Sequence, residues 1–347
     1  MKFGFAIIGC GMIGRFHAQA IQSLDDAELV GCFDSWPESA ERLAAEFDCR
    51  HYDSLEDLLA DDAVTIVTIC TPSGSHEQPT IAAAAAGKHV VVEKPLEVTV
   101  EKCDRMIAAC EQAGVVLSTV FQSRFHEAPR LVKQAIDEGR FGKLVLANAY
   151  VKWFRTQEYY DSGDWRGTWE FDGGGALMNQ AIHSVDLLCW FMGEVQSVAA
   201  ISDTLAHQRI EVEDAIVANL RFANGALGSI EATTAAFPGA LKRIEIYGTQ
   251  GSAVIEEEDI TTWEFSQPTE ADKQILERLN NKTSSGGGAA DPSAISFAGH
   301  AHQFEDVMDA IRDGRQPQVD GHEARKSVEL INRIYDAAGT RTADRPE

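Results

Sequence analysis

Three glycines at a fixed spacing, in Gly9-Cys10-Gly11-Met12-Ile13-Gly14, restrict this chain more than any other feature. They follow an apolar run, Phe3 to Ile8, and precede a helix-like stretch ending near Leu24. Strand, tight turn and helix in that order predict a parallel β-α-β unit. Gly9 permits the turn, Gly11 lets the backbone approach a diphosphate, and Gly14 lets helix and sheet pack closely. Met12 and Ile13 belong to the same loop, and the helix start offers N–H groups and a positive dipole end. Asp34 closes the second strand-like run, where an acid can hold ribose hydroxyls. The chain is therefore expected to bind a dinucleotide, the rival reading being a purely structural turn. A carboxylate repels a 2′-phosphate, and Ser35, Trp36 and Pro37 supply no cation, so NAD is expected rather than NADP.

The rest of the first third keeps the same rhythm. Strand-like runs at Glu28–Phe33, Val64–Cys70, His89–Val92 and Val115–Phe121 alternate with helical stretches. One of these begins with an apparent capping box, Ser35 as N-cap and Glu38 three residues on. Such alternation implies a doubly wound parallel sheet, a Rossmann domain over 1–122. After that the strands lengthen and alternate polar with apolar, as in Arg243-Ile244-Glu245-Ile246-Tyr247. This predicts an α/β domain over 123–347 with a large open, mainly antiparallel sheet. A single helix is expected from Gly175 to Phe191, and a mobile surface loop over 264–296.

A length of 347 residues suits two domains. The formal net charge of −24 argues against nucleic acid or an anionic membrane as a partner. No apolar run reaches the ~18 residues of a membrane span, and the start does not read as a secretory leader. Seven cysteines without a CxxC pair fit free thiols in a reducing compartment, so a cytoplasmic location is expected.

Candidate chemistry lies at the carboxyl ends of the parallel strands, where doubly wound sheets bind ligands. Thr71-Pro72 with His76 follows one strand and Glu93-Lys94-Pro95 follows the next. The first is either a cofactor-contacting loop or an ordinary turn with Ser75 as N-cap. Lys94 can hold a hydroxyl and stabilise a developing alkoxide, with Glu93 orienting it. A surface lysine before a proline turn is the plainer alternative. In the second domain, Asn179, His183 and Asp186 are spaced to share one helical face. Histidine suits proton transfer from an alcohol; a satisfied core histidine is the rival reading. Gly173, Gly174 and Gly175 are expected to leave room for a ligand. No second histidine or cysteine has ligand spacing, so no metal is expected. Tyr150 to Phe171 holds eight aromatics in 22 residues, with Arg155 and Arg166 among them. Arg155, Trp165 and Arg166 are candidate sugar contacts; a core or a subunit interface would also explain the aromatics.

These motifs in this order resemble the glucose–fructose oxidoreductase, inositol dehydrogenase and MocA-type (Gfo/Idh/MocA) family. The ending Ala310-Ile311-Arg312-Asp313-Gly314-Arg315 with Pro317 is similar too. The resemblance implies an enzyme, an NAD-dependent sugar or cyclitol oxidoreductase, assembled as a homodimer or homotetramer. It implies that Lys94 contacts both substrate and nicotinamide, and that His183 is the acid/base. It also implies that Gln122 and Arg124 line the nicotinamide pocket. Inositol dehydrogenases of the family carry Asp four residues before that histidine, where this chain has Asn179. In that respect it resembles the branch that oxidises nucleotide sugars at the 3-hydroxyl. Two other outcomes stay open from sequence: redox-assisted glycoside cleavage with retained NAD, and an NAD-binding regulator without turnover.

Overall fold

The computed structural model describes residues 2–280 and 297–340. They form two compact units. The first holds six parallel strands: β1 (Phe3–Ile8), β2 (Ala27–Phe33), β3 (Arg50–His51), β4 (Ile66–Ile69), β5 (His89–Val92) and β6 (Leu117–Thr119). Their order is β3-β2-β1-β4-β5-β6, the doubly wound Rossmann arrangement. The chain reverses direction across the sheet between β1 and β4, so the loops leaving these two strands flank the crevice. Helices α1 (Met12–Gln22), α2 (Pro37–Phe47), α3 (Leu55–Ala60), α4 (Glu77–Ala85) and α5 (Val100–Ala113) connect the strands. Helix α2 starts on Pro37 and its N-cap is Trp36, one residue later than the expected Ser35. A proline is preset for the first helical position, and the Asp34 side chain accepts the Trp36 N–H at 2.9 Å instead.

The second unit begins with helix α6 (Glu127–Asp137) and strand β7 (Leu144–Lys152), then α7 (Gln157–Asp161). Next come α8 (Ile182–Met192) and strands β8 (Val195–Asp203), β9 (Ala215–Phe222), β10 (Leu227–Thr233), β11 (Arg243–Gly248), β12 (Gly251–Glu256) and β13 (Asp259–Phe265). The sheet order is β13-β12-β11-β7-β10-β9-β8. Every neighbouring pair is antiparallel except β7 with β10. Strand β9 shows the expected alternation: Ile216, Ala218, Leu220 and Phe222 are buried while Val217 faces out. The proposed loop over 264–296 contains a helix, α9 (Glu270–Asn280), in its first half. Residues 281–296 lie outside the described residues.

Two helices close the chain, α10 (Ala298–Asp313) and α11 (Gly321–Ala338). The sequence reading placed α10 with the second domain. Its Ala301, Phe304, Val307 and Met308, at helical spacing, instead enter the apolar cluster of Phe5, Ile7, Ala18 and Ile21 in the first unit. Among the described residues no helix is long and apolar enough to cross a membrane.

Candidate active site

The glycine loop has the shape a diphosphate needs. Gly9 sits at φ +97°, and a Cβ there would lie 2.7 Å from the Cys70 backbone. A Cβ on Gly14 would lie 2.5 Å from the Gly9 carbonyl oxygen. Gly11 has open space where its Cβ would be, as a close-approaching ligand requires. No side chain caps the start of α1, so its first N–H groups point into this loop. Met12 is 46% exposed and Ile13 half-buried beside it. Asp34 accepts the Cys10 N–H at 2.7 Å, which ties the end of β2 to the loop.

Thr71 and Pro72, Glu93 and Lys94, and Gln122 follow β4, β5 and β6 in turn, three adjacent strands. His76 is buried and faces Thr71 O at 3.0 Å through Nε2 and Pro95 O at 2.9 Å through Nδ1. It thus clamps two crevice loops together. Burial pushes its pKa down, although the carbonyls favour the charged form. Helix α4 starts with His76 as N-cap, so the expected capping role of Ser75 is not found. Glu93 is buried, and its Oε2 accepts the Lys94 N–H at 3.0 Å. Burial would raise its pKa, but hydrogen bonds from His17 and His300 hold the carboxyl well below the usual range. Gln122 Oε1 is buried and accepts no hydrogen bond among the described residues. A nicotinamide carboxamide would supply the missing donor. The glycine cradle, Asp34 and this orphaned oxygen together fit a dinucleotide.

In the second unit, the expected single helix is broken. Residues Ala176–Gln180 form a π-helical turn, and α8 starts only at Ile182. Such turns cluster at functional sites because they re-aim side chains. The cause here is Glu213, whose carboxylate accepts Gly175 N at 2.9 Å and Leu177 N at 2.8 Å. The Tyr335 hydroxyl donates to Glu213 at 3.0 Å and accepts Met178 N at 3.2 Å. Burial lifts the Glu213 carboxyl to about 7, against the pull of those N–H donors. The glycines before this turn serve close packing rather than ligand room. A Cβ on Gly173 would meet Val98 at 2.4 Å, one on Gly174 the Tyr335 hydroxyl at 2.1 Å, and one on Gly175 the Glu213 carbonyl at 1.8 Å.

The three residues expected on one face therefore part company. Asn179 and His183 are half-buried, Asn179 in the π turn and His183 in the first turn of α8. Asp186 is fully buried and accepts from Arg124 Nε at 2.8 Å and Nη2 at 2.7 Å. The structure gives Asp186 and Arg124 to each other, in a bidentate pair beneath the surface. Arg155, Trp165 and Arg166 join a polar-aromatic cluster. Arg155 donates to Gln180 Oε1 at 2.9 Å and lies 5.1 Å from the Trp153 ring centre. Arg166 donates to the Tyr159 hydroxyl at 2.9 Å and stacks on Trp165. Gln180 in turn donates to Tyr159 and to Asn179 Oδ1 at 2.6 Å. Sequence reasoning missed His17, His300, Gln180, Glu213 and Tyr335. Of these only Gln180 carried a local signal, as the neighbour of Asn179.

Residues 3–121 match the family described as "Oxidoreductase family, NAD-binding Rossmann fold", and residues 130–254 match the "GFO/IDH/MocA C-terminal domain". The myo-inositol 2-dehydrogenase of Thermotoga maritima is 32% identical over 260 residues, 72% of this chain and 74% of that protein. The WlbA dehydrogenase of Bordetella pertussis, solved with NADH and UDP-GlcNAcA, is 39% identical; the TM-score is 0.90 over 98% of this chain and 96% of that one. A second WlbA dehydrogenase, from Chromobacterium violaceum with the same two ligands, is 37% identical; the TM-score is 0.87 over 97% and 94%.

Proposed function

The chain belongs to the GFO/IDH/MocA oxidoreductase family, and from that premise we propose that it oxidises the sugar of an anionic nucleotide sugar, at the 3-hydroxyl, with NAD. The family includes NAD-binding sugar and cyclitol dehydrogenases, so the first open matter is the substrate. The observation that carries the choice is the cationic, aromatic cluster of Arg155, Tyr159, Trp165 and Arg166, joined through Gln180 to Asn179. Aromatic faces suit sugar C–H groups, and two guanidinium groups suit a carboxylate or diphosphate. Neutral inositol has no use for either cation. Asn179, where inositol dehydrogenases have Asp, removes a carboxylate that would repel such a substrate. The UDP-GlcNAcA bound by the two WlbA dehydrogenases is a ligand of this chemical class.

In this reading the Gly9–Gly14 loop, Asp34 and Gln122 would hold NAD, which when bound would supply the hydride acceptor for the alcohol carbon. His183 takes the hydroxyl proton as the carbonyl forms. Lys94 steadies the oxygen while negative charge develops on it. Asn179 orients the substrate hydroxyls, and Asp186 acts at one remove by fixing Arg124. Mixing protein and excess NAD with UDP-GlcNAcA is expected to give a steady rise in reduced-nicotinamide absorbance. With myo-inositol, kcat/KM should be at least about a hundredfold lower, since a site built for polar groups rejects a ligand lacking them. Equal or better turnover of myo-inositol would refute the substrate assignment. A single burst matching the protein concentration would favour redox-assisted cleavage instead.

We further propose that the open sheet assembles copies of the chain. Leu146, Leu227, Val217 and Ile201 all lie on one sheet face, by the register of β7, β10, β9 and β8, and all are exposed. Exposed apolar residues gathered on one sheet face are common at contact surfaces. Changing Leu146 and Leu227 together to Glu should reduce the mass measured by light scattering to that of a monomer. An unchanged mass would exclude this face. The seven free thiols support a reducing, cytoplasmic location.

A further inference from the structure

Glu93 is a buried anion with an unusual set of neighbours. Its Oε1 accepts from His17 Nε2 at 2.9 Å and faces His300 Nε2 at 3.6 Å, and its Oε2 accepts the Lys94 N–H. His17 Nδ1 in turn lies 2.6 Å from Thr68 Oγ1. The four side chains come from β5, α1, α10 and β4, all in the first unit, and all are buried. Among the described residues the ion-pair partners of Glu93 are these two histidines alone, with no lysine or arginine. Burial pushes His17 toward its neutral form, although Glu93 pulls the other way. The carboxylate is thus satisfied by hydrogen bonds yet not neutralised by a fixed guanidinium or ammonium partner. A buried anion of this kind is costly and projects a negative potential onto whatever lies near it. It stands at the carboxyl end of β5, beside β4 and β6, where a Rossmann sheet presents its ligand. Oxidised nicotinamide is a cation and reduced nicotinamide is neutral.

We propose that Glu93, set by His17 and His300, is the counter-anion of the oxidised nicotinamide, so that the first unit discriminates NAD from NADH by charge. The effect favours loading of the oxidised cofactor and release of the reduced one, while it makes hydride transfer to the bound nicotinamide less favourable. This rests on the NAD reading of the crevice but goes beyond it, since a cofactor site needs no such discrimination. It gives Glu93 an electrostatic role distinct from the orienting of Lys94.

The test is calorimetric titration of NAD, and separately NADH, into cofactor-stripped wild-type protein and two variants. Glu93→Gln removes the charge. It keeps the hydrogen bonds if His17 changes tautomer, because Thr68 Oγ1 can donate or accept. Glu93→Asp keeps the charge on a shorter arm. The ratio of NAD to NADH affinity is expected to fall about tenfold in Glu93→Gln and to stay within about twofold of wild type in Glu93→Asp. Should Glu93→Gln not fold, Glu93→Met, which needs no hydrogen bond, serves as the neutral variant. Equal weakening of both cofactors, or the same shift in the Asp variant, would overturn the proposal and mark Glu93 as structural. The His17, Glu93 and His300 ligand atoms also lie within 4.8 Å of one another. A stoichiometric divalent ion in metal analysis of the purified protein would neutralise the carboxylate and overturn the proposal as well. Failure of the wild type to bind either cofactor would remove the NAD reading itself, an outcome distinct from an unchanged ratio.

Discussion

Lys94→Ala protein is expected to lose about 10³-fold in turnover while binding NAD nearly as well as wild type. The lysine follows β5 at the carboxyl edge of the sheet, and its backbone is pinned through Glu93 to the buried histidines. The diphosphate grip resides elsewhere, in the glycine loop and Asp34, so binding and chemistry should separate. A loss confined to kcat would mean the ammonium acts on a charge that exists only in the transition state. Steady-state rates under saturating NAD, together with quenching of protein fluorescence by the cofactor, supply both numbers. Turnover equal to wild type would sink the assignment. A parallel collapse of NAD affinity would make Lys94 a cofactor ligand first.

The largest effect on stability is expected at Arg124. Its guanidinium and the Asp186 carboxylate meet in a bidentate pair, and both side chains are almost wholly buried. Replacing Arg124 by Ala takes the guanidinium away from a buried carboxylate, which costs about 3–5 kcal/mol. The double change Arg124→Met with Asp186→Leu removes both charges and should recover most of that loss. Urea unfolding of the two variants provides the comparison. A single variant as stable as wild type would show that solvent reaches the pair. Because α8 carries both Asp186 and His183, folded Arg124 variants should also turn over more slowly than their stability alone explains.

The readable parts of this sequence are those governed by neighbours along the chain. The glycine loop, the strand–helix alternation and Asp34 obey rules that act within about thirty residues. Alternation in β9 and the helical spacing of Phe304, Val307 and Met308 were equally local. What stayed hidden depends on distant partners. The spacing groups Asp186 with Asn179 and His183; Arg124, with which it forms a bidentate pair, lies 62 positions away. The π turn could not be foreseen, since Glu213 and Tyr335 impose it from far along the chain. The three glycines before it had two uses open to them, ligand room and tight packing, and only the neighbours decide. The acidic run Glu256-Glu257-Glu258-Asp259 forms the turn between β12 and β13, with Glu257 at φ +53°, and its charge hides that hairpin in the sequence. The division of the candidate site residues into buried supports and half-buried positions was not legible along the chain.

The recruitment of α10 by the Rossmann sheet bears on how the molecule is made. A ribosome that has finished residues 1–122 has supplied every strand of the first sheet. It has not supplied Phe304, Val307 and Met308 for the core, nor His300 for Glu93. About 170 further residues must be synthesised before that face is covered. The nascent sheet therefore waits with apolar surface open, and the buried carboxylate with one donor short. Completion of the cofactor crevice is tied to the synthesis of α10 rather than to the end of its own strands.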